Sequence, residues 1–546
     1  MEVEGLKTLL FNGKIYLERE KFAEAVLIED GIILKTGTTA DLEKEAGDSC
    51  EKIDCKGKTV VPGFNDSHLH LLSFGQGLSN VNITGCSSIE EMIERCKNFI
   101  AEHPERVKIA LRSSGWNQDL FEKEKRIPTR HDLDKISTEI PVILERICGH
   151  ILTTNTKAIE MLGLDENSPQ YPGGTFEKES SGYPNGVFTE NACHFVKQLV
   201  PKASIEEYEV MLMEAMKYAA AHGVTSVHSN DIGIVAEDKD VLFNMLHRVF
   251  NDGKALLRYH HQVCFNDLEK FKEYIEKGEY AKGKYPEDSW LTLGPLKLFK
   301  DGSLGARTAL MSSDYKDAPG VRGEVWMSEE TMLEYCRLAD KAGMQVVTHV
   351  IGDQAVRDTV KCYKSVFRDG KNPLRHELIH CQITDREILK EIAENEILVS
   401  YQPIFLDYDM HVVEDRCGKE LASTSYAFNT MEKLGGHVSY GSDCPVEMCN
   451  PFPNIYSAVT RKDSKGWPEN GFYPEECVDI YTAVDAYTAG SAYAQFMENK
   501  KGRIKAGYYA DLVILDRDIF TVDPMEIRDI QAELTMVGGK IVYKKK

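Results

Sequence analysis

The stretch Val60-Val61-Pro62-Gly63-Phe64-Asn65-Asp66-Ser67-His68-Leu69-His70 takes an apolar run through a Pro-Gly corner and into a short strand ending in His-x-His. Side chains two apart on a strand share a face, so His68 and His70 aim at one point while Leu69 turns away. Two converging imidazoles are part of what a transition metal asks of its ligands. A lone His-x-His is more simply a pair of polar turn residues. Its recurrence argues for more: His228, Lys297, His349, His380 and Asp443 each stand at or near the end of a later strand-like run. Lys297, between Leu296 and Leu298, is the least ordinary, because burying an unpaired ammonium is costly. A neutral Lys297 amine that has taken up CO2 would resolve that conflict. The resulting carbamate is an anion with two oxygens, able to bridge two cations.

The elements that must position these residues alternate along the chain. From about residue 64 to 495, short apolar runs are separated by amphipathic helical stretches, the pattern of βα repetition and a parallel sheet. The expected strands are Gly63–Leu71, Val224–Asn230, Leu257–Cys264, Leu293–Lys300, Gln345–Val350, His376–Cys381, Ile397–Gln402 and Val438–Asp443. Helices are expected over Ile205–His222, Ser328–Ala342 and Asp385–Ala393. Eight such units predict an α/β fold, a (β/α)8 TIM-like barrel spanning 63–496 whose active site forms at the C-terminal strand ends. An open doubly wound sheet is the alternative, against which no G-x-G-x-x-G follows a strand. Both chain ends read as strands, with hairpin signals at Asn12-Gly13, Asp30-Gly31 and Gly538-Gly539. They predict a small β-sandwich built from 1–62 and 497–546. Residues 75–203 are too many for one βα connection and read as an insertion after strand one. Within it, strand or helix signals lie at Ile89–Glu102, Val107–Ser113 and Pro141–Cys148.

The chain has 546 residues, 42% hydrophobic and 28% charged, a soluble globular balance for one large domain with appendages. A net charge of -22 argues against nucleic acid, whose phosphates call for a basic footprint. No apolar run is long enough to span a membrane. The acidic start, Met1-Glu2-Val3-Glu4-Gly5, lacks the regions of a signal peptide. The 14 scattered cysteines read as reduced thiols, mostly core, and the expected location is cytoplasmic.

The order His-x-His, Lys, His, His, Asp resembles that of the amidohydrolase superfamily. Longer motifs narrow the resemblance to the metal-dependent hydrolases of its third amidohydrolase subgroup, which includes N-substituted formamide deformylases. These are Pro62 to His70, Lys297 to Ala309, His349-Val350-Ile351-Gly352-Asp353, His380-Cys381-Gln382 and Gly441 to Val446, with a closing segment from Gly502 to Val513. Val350 stands where the family usually has alanine. The resemblance implies the barrel and terminal β-sandwich, and metal-site roles for His68, His70, Lys297, His349, His380 and Asp443.

The expected function is hydrolysis of a C–N amide bond, of N-formyl or N-acyl type, by metal-activated hydroxide, with Asp443 as proton shuttle. The expected cofactor is one or two divalent ions. Zinc suits the ligands best, and iron, manganese or cobalt are also compatible. His228 is open between steadying the oxyanion and simple packing. For substrate contacts the candidates are Trp116, His150 and Tyr183 in the insertion, and Ser303, Leu304 and Arg307 after strand four. Arg307 is open between gripping a carboxylate and pairing with a surface acid. The expected partner is a small-molecule amide, and a homodimer is compatible with the sequence. The alternatives are a cyclic amidase, deaminase or esterase on the same site, or a non-catalytic barrel, against which all six metal positions are filled.

Overall fold

The computed structural model describes residues 7–47, 50–104, 106–146, 150–199, 203–232, 239–278 and 289–546. The acidic N-terminal segment and the end of the Pro141–Cys148 signal fall outside them. Two compact units emerge, Met1–Leu71 with Ala215–Lys546, and Leu72–Glu214.

In the first unit, eight parallel strands follow one another in chain order across one sheet. They are β1 (Phe64–Leu69), β2 (Val224–Ser229), β3 (Arg258–Cys264), β4 (Leu291–Phe299), β5 (Val346–Val350), β6 (Glu377–His380), β7 (Leu398–Tyr401) and β8 (Val438–Tyr440). Each lies within a residue or three of its expected bounds. Helices Ile205–Ala221, Glu329–Lys341 and Arg386–Glu394 stand where the apolar periodicity puts them. Ser328 and Asp385 cap two of them by accepting N–H groups of the first turn.

The sheet curls until its edges meet, as a near-closed barrel. Asp443 N–H donates to the His68 carbonyl (2.8 Å) and His70 N–H to the Cys444 carbonyl (2.7 Å). Asp66 clamps the same seam, accepting from Ser442 N–H (3.0 Å) and Ser442 Oγ (2.6 Å). Gly441 lets the two chains approach: a Cβ there would lie 2.6 Å from His68 N.

Strands from both termini share one six-stranded sheet. Leu512–Leu515 pairs antiparallel with Thr59–Pro62, the strand that leads into β1. A four-stranded sheet from the N-terminal region accompanies it. Asp30-Gly31 and Gly538-Gly539 turn antiparallel hairpins with positive φ at both central residues. Asn12-Gly13 does not. Lys7–Phe11 pairs in the four-stranded sheet and Lys14–Glu18 in the six-stranded one, so this corner passes the chain from one sheet to the other.

The second unit has its own five-stranded sheet and the helix Ile89–Glu102. Trp116 is fully buried in that unit's core beside Met92, Phe121 and Leu144. Among the described residues no helix is long and apolar enough to cross a membrane. The described cysteines are all free and, Cys477 apart, buried.

Candidate metal centre

Ligand atoms of His68, His380 and Asp443 lie within 4.8 Å of one another, all three residues buried. His68 is the last residue but one of β1, His380 ends β6, and Asp443 follows β8, so the C-terminal rim of the sheet gathers them. His380 (φ 71°) and Asp443 (φ 54°) both adopt the left-handed region, which side chains other than glycine rarely occupy. Such strain persists where surrounding structure enforces it, and it concentrates at functional sites.

Asp443 is the hub. Its Oδ1 lies 3.2 Å from His70 Nε2 and 3.4 Å from His68 Nε2, and its Oδ2 lies 3.9 Å from His380 Nε2. Tautomers follow from the other ring nitrogens. His70 Nδ1 is 2.6 Å from the Asn230 carbonyl, which can only accept, so Nδ1 carries the proton. His68 Nδ1 faces Gln262 Oε1 at 3.1 Å. Both Nε2 atoms therefore converge on Asp443 Oδ1, for which no donor outside these imidazoles stands among the described residues. Acceptors packed this way repel unless a positive charge sits among them. A proton on His70 is one answer: burial pulls its pKa down, but the adjacent Asp443 prevails and holds it above the ordinary value. A divalent cation is the other, and the imidazole–carboxylate donor set with oriented outer partners suits it.

The protonation states of three of the four imidazoles suit ligation, and His70, held above the ordinary value by Asp443, must give up its proton to join them. Burial holds His68 and His349 well below the usual imidazole value, and brings His380 to about 4. Neutral imidazole is the form that binds metal. Burial would raise the Asp443 carboxyl, but the His70 contact and the neighbouring imidazoles hold it well below the carboxylate range.

Lys297 is fully buried on β4, its Nζ 3.3 Å from His68 Nε2 and 4.9 Å from the centre of the Phe299 ring. Burial lowers its pKa to about 7, so much of it is neutral amine near neutrality. His349 belongs to the same neighbourhood, its ring 4.6 Å from that of His380. Its Nε2 donates to the Gly302 carbonyl (3.1 Å), which leaves Nδ1 as the free lone pair.

The other expected site residues divide. No hydrogen bond, ion pair or ring contact among the described residues joins His228 to the cluster. It sits instead against the His260 ring (5.2 Å), in a second buried polar group where Lys501 bonds Ser226 and His260 meets Thr292. Arg307 pairs with Asp317 through two hydrogen bonds, 3.1 and 2.7 Å, the surface-acid outcome. Ser303 is exposed and its Oγ accepts from Ala306 N–H, and Leu304 is buried. Trp116 donates its indole N–H to the Leu144 carbonyl (3.0 Å) inside the inserted unit's core. His150 is exposed and bonded to Glu190 (3.1 Å), and Tyr183 lies under the Arg130 guanidinium.

Several positioning residues escaped the sequence reading. Asp301 accepts N–H groups of Leu310, Ile351 and Gly352, tying the loop after β4 to that after β5, and burial raises its carboxyl to about 7. Trp326, half exposed, lies parallel to the His349 ring at 6.3 Å, and Phe405 lies over His380 at 5.8 Å. Asp66 was detectable as the same-face neighbour of His68, whereas Gln262 follows Arg258, His260 and His261 on a largely polar strand and does not stand out. Nothing in the local sequence marks Trp326 or Phe405.

The model of the amidohydrolase family (Amidohydro_3) matches residues 51–543. The Bacillus subtilis protein named "Putative amidohydrolase YtcJ" is 32% identical over 99% of this chain and 100% of its own length. The N-substituted formamide deformylase of Arthrobacter pascens is 26% identical over 96% of each chain. A solved metal-dependent hydrolase from Pyrococcus furiosus superposes with a TM-score of 0.76 at 29% identity, covering 94% of this chain and 100% of that one.

Proposed function

Since the chain belongs to the amidohydrolase family of metal-dependent hydrolases, we propose that it hydrolyses a linear C–N amide of a small molecule, an N-formyl or N-acyl amine. The observation that carries this reading is the meeting of the His68 and His70 Nε2 lone pairs at Asp443 Oδ1, with His380 at Oδ2. His68, His70 and Asp443 would hold one ion, and His349 and His380 a second, with a carboxylated Lys297 shared between them. A divalent cation in such a site lowers the pKa of water to about 7 and polarises a carbonyl.

The protein's own groups do the rest. Asn230 and Gln262 fix the two β1 imidazoles through Nδ1, so their lone pairs keep one direction. Asp443 stays ionised at neutral pH and can take a proton from water at Oδ2, then return it to the departing nitrogen. An amine is a poor leaving group unless protonated, which is why this carboxylate must touch both water and substrate. The relationship to a formamide deformylase supports an N-formyl or N-acyl substrate.

The test is a screen of N-formyl amines, N-acyl amines, cyclic amides and esters against the zinc- and manganese-loaded protein. Release of free amine from the linear amides, well above that from the cyclic ones, is the expected result. Turnover confined to cyclic amides or esters would overturn it.

A further inference from the structure

The segment after β7 puts Phe405 over His380 and, a few residues on, forms the wall of a separate cavity of about 460 Å³. That cavity shares no side chain with the metal centre. Its walls are aromatic: Trp467, Phe472, Tyr473 and His411, with Met410 behind them. Trp467 stacks on His411 (4.9 Å, 16° between planes) and keeps about half of its surface exposed. Phe472 and Tyr473 meet edge to face at 4.7 Å. His411 Nε2 is tied to Asp463 (3.2 Å), which fixes the ring that backs the indole.

The fixed charges on this cavity's lining are acidic, and its one histidine, His411, is paired with Asp463. Glu414 and Asp415 line it, and among the described residues no lysine or arginine does. The Tyr473 hydroxyl donates to Glu414 Oε1 (2.8 Å), so an aromatic face and a carboxylate are locked to each other. Aromatic faces carry negative quadrupole density, and carboxylates add to it. Such walls repel anions. They also suit a bare metal ion poorly: Glu414 and Asp415 are neighbours on one helix and cannot turn several oxygens to one point. A cation with an apolar skin satisfies both the rings and the acids.

We propose that this cavity is a binding site for a small organic ammonium ion, held by Trp467 and Tyr473 over their faces and by Glu414 and Asp415 at its rim. The occupant is either free or the cationic end of a larger molecule, and the chemistry recognised is the same.

Isothermal titration of the full-length protein with choline chloride, against 3,3-dimethylbutan-1-ol as its uncharged isostere and with sodium chloride matched, tests the proposal. Choline is expected to bind one per chain, at least about tenfold tighter than the alcohol. Trp467→Leu, and Glu414→Gln with Asp415→Asn, should each weaken choline by about tenfold, whereas Asp443→Asn leaves it unchanged. Absence of saturable choline binding, equal binding of the alcohol, or loss of binding in Asp443→Asn, which would assign the cation to the metal centre, each overturns it.

Discussion

Replacing Lys297 by methionine removes the amine while keeping the length and apolar stem of the side chain. Lys297 is fully buried, and burial brings its pKa to about 7. At pH ~7.5 such an amine is roughly three-quarters neutral, against about one part in a thousand for an ordinary lysine. Only the neutral amine can take up CO2, so the pocket raises the reactive fraction by several hundred-fold. Wild-type protein loaded with metal in 13C-bicarbonate should therefore give a carbamate carbon resonance in the NMR spectrum, which Lys297→Met lacks. Metal content, measured by plasma mass spectrometry, should fall from two ions toward one or fewer per chain. The fold should survive, because methionine fills the same space and leaves no unpaired charge. Full metal content in the variant, or no carbamate signal in a fully loaded wild type, would refute the bridging role.

Three further outcomes follow from particular contacts. Asp443→Asn should lower kcat by about a hundred- to ten-thousand-fold, the usual share of a proton-transferring group, with metal still bound; wild-type turnover would remove Asp443 from that role. His228→Asn should keep near-normal turnover in an amide-hydrolysis assay while losing about 1–3 kcal/mol of stability in urea unfolding, because His228 belongs to a buried polar group away from the cluster. Glu377, on β6, has its pKa raised to about 8 by burial, with Lys297 opposing. The folded state favours its protonated form, so this contribution is full below pH ~4.5 and fades as pH rises toward 8, at up to about 1.4 kcal/mol per pH unit. Glu377→Gln in the metal-free protein should flatten the urea-midpoint profile across that window, and an unchanged slope would count against the assignment.

The barrel was legible because six of its eight strands end at or near a chemistry-bearing residue, and several of the helices between carry an apolar stripe and a capping Ser or Asp. Those signals are local. What was illegible is set by partners distant in sequence. Asn12-Gly13 has the composition of a hairpin turn, yet Lys7–Phe11 finds its mates in Ala25–Glu29 and Glu51–Asp54, while Lys14–Glu18 pairs with Lys21–Ala23 and Thr59–Pro62. A dipeptide fixes a corner and says nothing about which sheet each arm joins.

The centre divides along the same physical line. His68, His70, His380 and Asp443 were readable because a residue at the rim of a barrel strand has few places to point. His228 illustrates the limit of that rule. It stands one residue short of the end of β2 and in register with His260 on β3, so its partners are Lys501, Gln495 and the neighbouring imidazole. The rim position on this strand is taken by Asn230, whose carbonyl orients His70. Two positions along the chain thus separate a side chain set against His260 from a backbone group that aims a ligand. Residue type alone favoured the histidine; the register gives the aiming role to the asparagine's main chain, which no side-chain motif could have announced.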